Sequence, residues 1–514
     1  MSSQRVISAM IWDFLGKGGL TLARFAESIV LVRLLGSSDY GILAVLFNFQ
    51  GTIVLLTSLG IEGALSRFIP ELQVKEKTST IPELIRQTGI IRSVLLLLVS
   101  GLCFFFAAPL IQLIFEDSTN TPQQLENYLR LATFLIFSVG MQDLIRRILV
   151  IHYRQRLINT VEFFTFCAYL TGAVVSIQSG WGITGVLLSY LASKLTILLI
   201  FLVYSRTYFI RIKTGSSASF SLRKRFYPYA ISFYFYALML HVLGKGGDIF
   251  ILGAFLPNIN QVAFYTIAFN FAFFSTSFFE LALQGGFVLP FVSEIYQKGN
   301  QEVVHKVYNG LFEFIYLFTI PISVGGILMA DELISVFYGP SNAEAASLLV
   351  LFFVHFSIVK IGILNSSFML AADQQNRLIA SRIFFGGFNM VLNMLLVLPF
   401  QALGVVWGTL ITGVLASMYE TWCVHQLIHP RYSWRFLRKI AFASCGMGGI
   451  VWLLGFLPIF SLPLKMILLI GTGGLSYTIL LIVLKPVSPD NLTALQDSNL
   501  PFKRVLFRLL ARKA

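Results

Sequence analysis

Asp13, Lys17, Arg24 and Glu27 fall within one apolar stretch, and at about 100° per residue of α-helix they share an arc of roughly 80° on one face. His241, Lys245 and Asp248, spaced +4 and +3, repeat the arrangement in a second stretch. An ionisable group at bilayer depth is costly unless it meets a partner or a polar cavity, so such stripes point to binding of an ion or a polar ligand. Tyr234, Tyr236 and the glycines of LGKGG (243 to 247) would give that ligand aromatic surface and room. Further candidates are Lys194, Glu280 with Gln284 one turn on, Glu313, His355, Lys360, Asn389 with Asn393, and Glu420. Structural explanations stand beside the functional one. Lys17 can snorkel to the cytoplasmic headgroups, and Lys245 with Asp248 can neutralise each other as an i, i+3 pair. Glu313, His355 and Lys360 form no stripe with a partner visible from sequence, and Asn389 with Asn393 suits interhelical hydrogen bonding.

The elements that must position these residues are membrane spans. The chain is 56% hydrophobic and 12% charged, with a mean hydropathy of +0.78. Apolar stretches of about 20 residues, enough to cross the hydrocarbon core, lie near 11 to 35, 41 to 66, 88 to 109, 127 to 150, 158 to 178 and 183 to 204. After a basic segment they resume near 227 to 256, 262 to 289, 307 to 329, 346 to 370, 378 to 399, 402 to 426, 438 to 460 and 463 to 485. The expectation is an all-α polytopic membrane protein of about fourteen transmembrane helices, with two pseudo-symmetric six-helix lobes plus two C-terminal helices. Its expected parts are an N-terminal lobe (1–204), a basic cytoplasmic linker (205–226), a C-terminal lobe (227–428), two further spans (429–486) and a cytoplasmic tail (487–514).

Lys and Arg alternate between sides. Arg67, Lys75, Lys77 and Arg86 follow the second stretch, Arg146, Arg147, Arg154 and Arg156 the fourth, and Arg206, Arg211, Lys213 and Arg223 to Arg225 the sixth, whereas FEDSTNTPQQ and ADELISVFYGPSNAEA carry acids and no base. Basic loops stay cytoplasmic, so both termini are expected on that side of a plasma (inner) membrane. Topology then explains the net charge of +14 without a nucleic-acid partner. The tail LPFKRVLFRLLARKA separates Phe502, Val505, Leu506, Leu509 and Leu510 from Arg504, Arg508 and Arg512, as expected of a helix lying on the inner leaflet. The N-terminus lacks the pattern of a cleaved signal peptide. Cys103, Cys167, Cys423 and Cys445 have no metal-ligand spacing, and no metal or cofactor is expected. LGKGG is not a phosphate loop, because its lysine is followed by Gly rather than Ser or Thr; its glycines suit a hinge, a kink or close helix approach. The short outer loops leave no room for a catalytic domain, which argues against an enzyme such as an oligosaccharide polymerase.

SDYGILAVLFNF (38 to 49) lies over NQVAFYTIAFNF (260 to 271), and RFIPEL (67 to 72) over FVLPFV (287 to 292), in nearly one register. Such a repeat predicts two bundles related by an axis along the membrane normal, with Lys245 falling beside Arg24 in the alignment.

The segment 23 to 72, with LLGSSDYG, Leu59-Gly60 and RFIPEL, resembles the first two spans of polysaccharide and O-antigen flippases of the MOP superfamily, which also holds the MATE drug antiporters and the lipid II flippases. DIFILGAFLPNINQVAFYTIAFN (248 to 270) is similar to that family's seventh-to-eighth span segment, although LPNINQVAFY lacks the glycine that LLGSSDYG places before its aromatic. The resemblance implies alternating access by two lobes and a polyprenyl-pyrophosphate-linked oligosaccharide as cargo, with membrane lipids and other polysaccharide-assembly proteins as partners. Arg24, Lys245, Lys17 and Lys360 are then the candidates for the pyrophosphate and sugar. Asp13, Asp248, Glu280, His241 and Glu27 are candidates for a coupling proton or sodium ion. The clusters GMGG (446 to 449) and GTGG (471 to 474) would let the last two spans pack closely and flank a groove for the lipid tail. The alternative is a MATE-like exporter of cationic drugs or metabolites, which calls for a cavity of negative character.

Overall fold

The computed structural model describes residues 3–74, 80–115, 122–210, 220–277, 292–293, 295–296, 301–430, 432–456 and 461–486; the side chains of 3–15, 17, 74, 207–210 and 220–223 lie outside that description. Among the described residues every regular element is a helix. In chain order these are α1 (Ser3–Leu35), α2 (Ser37–Leu56), α3 (Ile61–Val74), α4 (Ile81–Phe105), α5 (Ala107–Ile114), α6 (Pro122–Ile151), α7 (Gln155–Gln178), α8 (Gly182–Ile210) and α9 (Phe220–Leu243). There follow α10 (Lys245–Phe255), α11 (Asn260–Ser277), α12 (Gln301–Leu328), α13 (Ala330–Tyr338), α14 (Ala345–Val359), α15 (Ile361–Ala371), α16 (Gln375–Ile428), α17 (Trp434–Gly455) and α18 (Leu462–Leu484). All fourteen predicted stretches fall on helix, that at 262 to 289 as far as Ser277 and that at 438 to 460 as far as Gly455. Ten helices among the described residues are long and apolar enough to cross a bilayer. The chain is an all-α polytopic membrane protein.

By packing, the chain forms two compact units. The first is Met1–Thr266 with Arg382–Val405; the second is Ile267–Ser381 with Val406–Ala514.

Several expected spans are broken rather than straight. The stretch 41 to 66 is α2 and α3, and 227 to 256 is α9 and α10, whereas in 346 to 370 α14 and α15 meet at Lys360 with helical dihedrals, φ −59° and ψ −27°. The long α16 contains two predicted spans joined at Gln401, whose φ of 52° interrupts the helical backbone. Hydropathy averages composition over a window and carries no information about the single dihedral that divides it. At the α2–α3 break Leu59 and Gly60 both have positive φ, 46° and 71°. A Cβ on Gly60 would also stand 1.9 Å from the Ala230 carbonyl oxygen of α9, so dihedral and contact both demand glycine there.

Irregular backbone at membrane depth survives only when protein satisfies it. Arg92 on α4 does so for this break. It is 1% exposed, donates from Nη2 to the Val54 carbonyl and from Nη1 to Thr57 Oγ1, both at 2.9 Å, and places Nε 3.2 Å from Glu62 Oε1 in the first turn of α3. One guanidinium thus binds both sides of the break.

The chain turns between α1 and α2 at Gly36, with φ 83°. The corresponding LPNINQVAFY turn needs no such glycine, because the Asn258 side-chain oxygen accepts the backbone N–H of Asn260 at 3.1 Å. In the second unit, Tyr308 Oη donates to Asn365 Oδ1 (2.8 Å) and Asn365 Nδ2 to Thr421 Oγ1 (2.9 Å), tying α12, α15 and α16 together. Tyr477 Oη donates to the Leu317 carbonyl at 2.6 Å, fastening α18 to α12. The glycine clusters allow close packing here: a Cβ on Gly473 would come within 3.1 Å of Val451, and one on Gly448 within 3.0 Å of Val324.

Candidate functional site

The first unit carries a charged cluster centred on Glu27. Its Oε1 accepts the Tyr169 hydroxyl of α7 at 2.6 Å, and its carboxylate lies within electrostatic reach of Arg24 on its own helix, Lys194 on α8 and Lys245 on α10. Three cations from three helices act on one acid. Arg24 is exposed, whereas Glu27, Lys194 and Lys245 are half-buried. Lys194 Nζ stands 4.9 Å from the Tyr190 ring centroid. The two cations that the repeat places side by side, Arg24 and Lys245, therefore share a target.

Lys245 is placed by a break in the polypeptide. α9 ends at Leu243, Gly244 is extended, and Lys245 is the first residue of α10. α2 braces both sides: Thr52 Oγ1 lies 2.7 Å from His241 Nε2, and Asn48 Nδ2 donates to the Gly246 carbonyl at 2.9 Å. The predicted stripe of His241, Lys245 and Asp248 is consequently divided among three settings. His241 meets Thr52, Lys245 acts on Glu27, and Asp248, 0% exposed, accepts from the Tyr265 hydroxyl of α11 and from Asn393 Nδ2 of α16 at 2.7 Å. Asn393 Nδ2 also lies 3.3 Å from Asn389 Oδ1, so this asparagine pair, expected as helix-bridging groups, joins a carboxylate network. The reason is the extended residue at 244, which interrupts the 100° progression that the helical wheel assumes.

Lys360 belongs to the second unit. It is 3% exposed at the α14–α15 junction, donates from Nζ to Ser277 Oγ at 2.6 Å, and lies 5.1 and 5.2 Å from the Phe273 and Phe356 ring centroids. His355 is close enough to interact with it electrostatically. Asp13 and Lys17 have side chains outside the described set, and Glu280 and the basic tail lie outside the described residues altogether. Among the described residues no three His, Cys, Asp or Glu side chains gather as metal ligands.

Sequence reading missed Tyr169, Tyr190, Asp143 and Arg92. Asp143 on α6 is exposed and lies in electrostatic reach of Lys194, Arg146, Arg92 and Glu162. Arg146 lies in the last turns of α6, which continues to Ile151, and its Nε is 2.7 Å from Glu162 Oε1 on α7. Only the i, i+3 and i, i+4 spacing of Asp143 with Arg146 and Arg147 hinted at this cluster. The pairing of Tyr169 with Glu27 joins residues 142 positions apart and had no local signal.

Residues 30–347 match the polysaccharide biosynthesis protein family. The chain belongs to that family. A probable low-salt glycan biosynthesis flippase of Haloferax volcanii, Agl15, is 21% identical over 280 residues, 53% of this chain and 58% of that one; the chain thus spans somewhat over half the length of this curated relative. Among solved structures, the lipid II flippase MurJ in an inward closed conformation aligns over 94% of this chain and 98% of its own, with TM-score 0.70 and 17% identity. An inward-facing multidrug resistance MATE family transporter of the MOP superfamily aligns over 80% and 94%, with TM-score 0.61 and 15% identity. This member of the polysaccharide biosynthesis protein family therefore shares its fold with these two structures, and the charged cluster around Glu27 lies inside one of its compact units.

Proposed function

We propose that the chain flips polyprenyl-pyrophosphate-linked oligosaccharide from the cytoplasmic to the outer leaflet of the plasma membrane by alternating access, supplying cell-surface polysaccharide synthesis. The observation that carries this reading is the convergence of Arg24, Lys194 and Lys245 on the single acid Glu27. A diphosphate in a low-dielectric site requires fixed cations: Arg offers bidentate contacts and Lys a point charge. Family membership supports a role in glycan assembly, and the fold likeness to a lipid II flippase supports a transporter architecture. Both termini are cytoplasmic in this reading, no cofactor is needed, and a proton or sodium gradient supplies the energy. Glu27, His241 and Asp248 are the described candidates for the coupling ion. Asp248 is buried and already accepts from Tyr265 Oη and Asn393 Nδ2, a setting that suits a proton or a small ion more than a bulky cargo.

Arg24→Ala and Lys245→Ala should each abolish export while leaving membrane insertion intact, with lipid-linked oligosaccharide accumulating on the cytoplasmic leaflet in a leaflet-resolved assay. Normal surface glycan in both variants would overturn the reading. The MATE likeness favours a second possibility, a cation-coupled exporter of cationic compounds. The excess of cations at Glu27 opposes a cationic cargo, so expression should leave resistance to cationic dyes unchanged.

A further inference from the structure

Beside the cations that act on Glu27 lies an aromatic group that the phosphate chemistry does not use. Tyr190 on α8 and Phe47 on α2 have ring centroids 4.9 Å apart and tilted by 51°. Tyr190 also meets Tyr169 edge-on at 5.1 Å, and Phe166 meets Tyr169 at 5.7 Å. Tyr169 is 2% exposed and spends its hydroxyl on Glu27, so it forms a fixed wall. Tyr190 and Phe47 are only half-buried. Lys194 stands over Tyr190 and reaches both Glu27 and Asp143.

We propose that Tyr190 and Phe47, with Lys194, Glu27 and Asp143 at their rim, form the subsite for the sugar joined directly to the cargo's diphosphate. The proposal rests on the flippase reading above. A pyranose ring has two unlike surfaces: C–H faces that pack on aromatic rings, and a rim of hydroxyls that pair with charged side chains. Apolar walls with a few placed polar groups are the ordinary composition of a small-ligand site, and Tyr supplies an apolar ring with a polar tip. Glu27 is common to both parts of the site. Arg24 and Lys245 act on it where the diphosphate would sit, and the Tyr169–Tyr190 wall adjoins it, so the first sugar would meet the rings while its phosphates meet the cations.

The test uses purified full-length protein and two probes: a polyprenyl diphosphate, and the same lipid carrying one hexose. Wild type should bind the glycosylated lipid more tightly. Tyr190→Ala should weaken binding of the glycosylated lipid about tenfold and leave the bare lipid unchanged, while Tyr190→Phe and Tyr190→Trp keep the preference. Tyr190→Leu, which fills the space without a ring, serves if the alanine variant fails to fold, and should behave as the alanine variant would. Arg24→Ala should weaken both probes alike. Equal loss of both probes on removing the ring, loss of neither, or equal binding of both by wild type would each overturn the sugar subsite and leave the flippase reading standing. Binding of neither probe by wild type would overturn the flippase reading and the subsite with it.

Discussion

The pentapeptide LGKGG occurs twice, at 15 to 19 and 243 to 247, and the structure uses it in opposite ways. The first copy lies inside the unbroken α1. The second spans the end of α9, the extended Gly244 and the start of α10. The surroundings of the glycines differ accordingly. A Cβ on Gly18 would meet nothing within 4 Å, and one on Gly19 only the Phe163 ring at 3.8 Å. A Cβ on Gly247 would stand 2.4 Å from the Val242 carbonyl oxygen, and one on Gly246 2.1 Å from the His241 imidazole. Identical local sequence, with identical intrinsic propensity, gives a helix in one place and a break in the other. Tertiary context decides, through the Asn48 and Thr52 contacts that α2 makes on either side of Gly244.

The largest effect should come from Gly247→Ala. The added methyl meets backbone, which has no rotamer to escape into, so a loss of about 3 kcal/mol or more is expected, seen as a collapse of the folded fraction in detergent. If the variant melted like wild type, the break would not depend on close approach. Next in size is Lys245→Gln, which removes a cation acting on Glu27. On the proposed flippase reading, loss of a charge interaction of about 1.5–3 kcal/mol corresponds to roughly ten- to a hundredfold weaker export, measured as surface glycan per folded protein. Lys17→Gln, in the other copy, should reduce export less; equal losses would make the two lysines functionally alike and erase the contrast. Gly16→Ala should cost about 2 kcal/mol, because the methyl would stand 2.4 Å from Asn159 Cβ, which no side-chain rotation can move. Gly18→Ala should be the smallest and of opposite sign, stabilising α1 by up to about 1 kcal/mol in a thermal melt. A destabilised Gly18 variant would show that the first copy also needs its glycines.

The spans were legible because apolar length depends on composition over tens of residues and survives any local irregularity. The site was legible only in part. Arg24, Glu27 and Lys245 stand out because charge in an apolar run is conspicuous wherever the helix points. The repeat register pairs Arg24 with Lys245, but that Glu27 is what they share was not visible: it depends on Gly244, and an extended residue in mid-span has no signature distinguishing it from the glycines of the first LGKGG. Tyr169 and Tyr190 escaped for the opposite reason. In a chain with 19 tyrosines, an aromatic residue within a span is unremarkable until a carboxylate is found against it. Lys360 stands out for its charge, yet it lies in the other unit, donating to Ser277 beside two phenylalanine rings. A charge's presence in a span is thus readable, while its partner is not.

The Arg92 contacts bear on how this protein can be recombined with its relatives. The break in the second span has its glycine at Gly60, its acceptors at Val54, Thr57 and Glu62, and its donor on α4. A chimera that imported the second span alone would separate these acceptors from the one side chain shaped to receive them, leaving a buried guanidinium facing the wrong backbone. The exchangeable module in this half of the molecule is therefore residues 37–105 as a block, in which Gly60, Glu62 and Arg92 travel together.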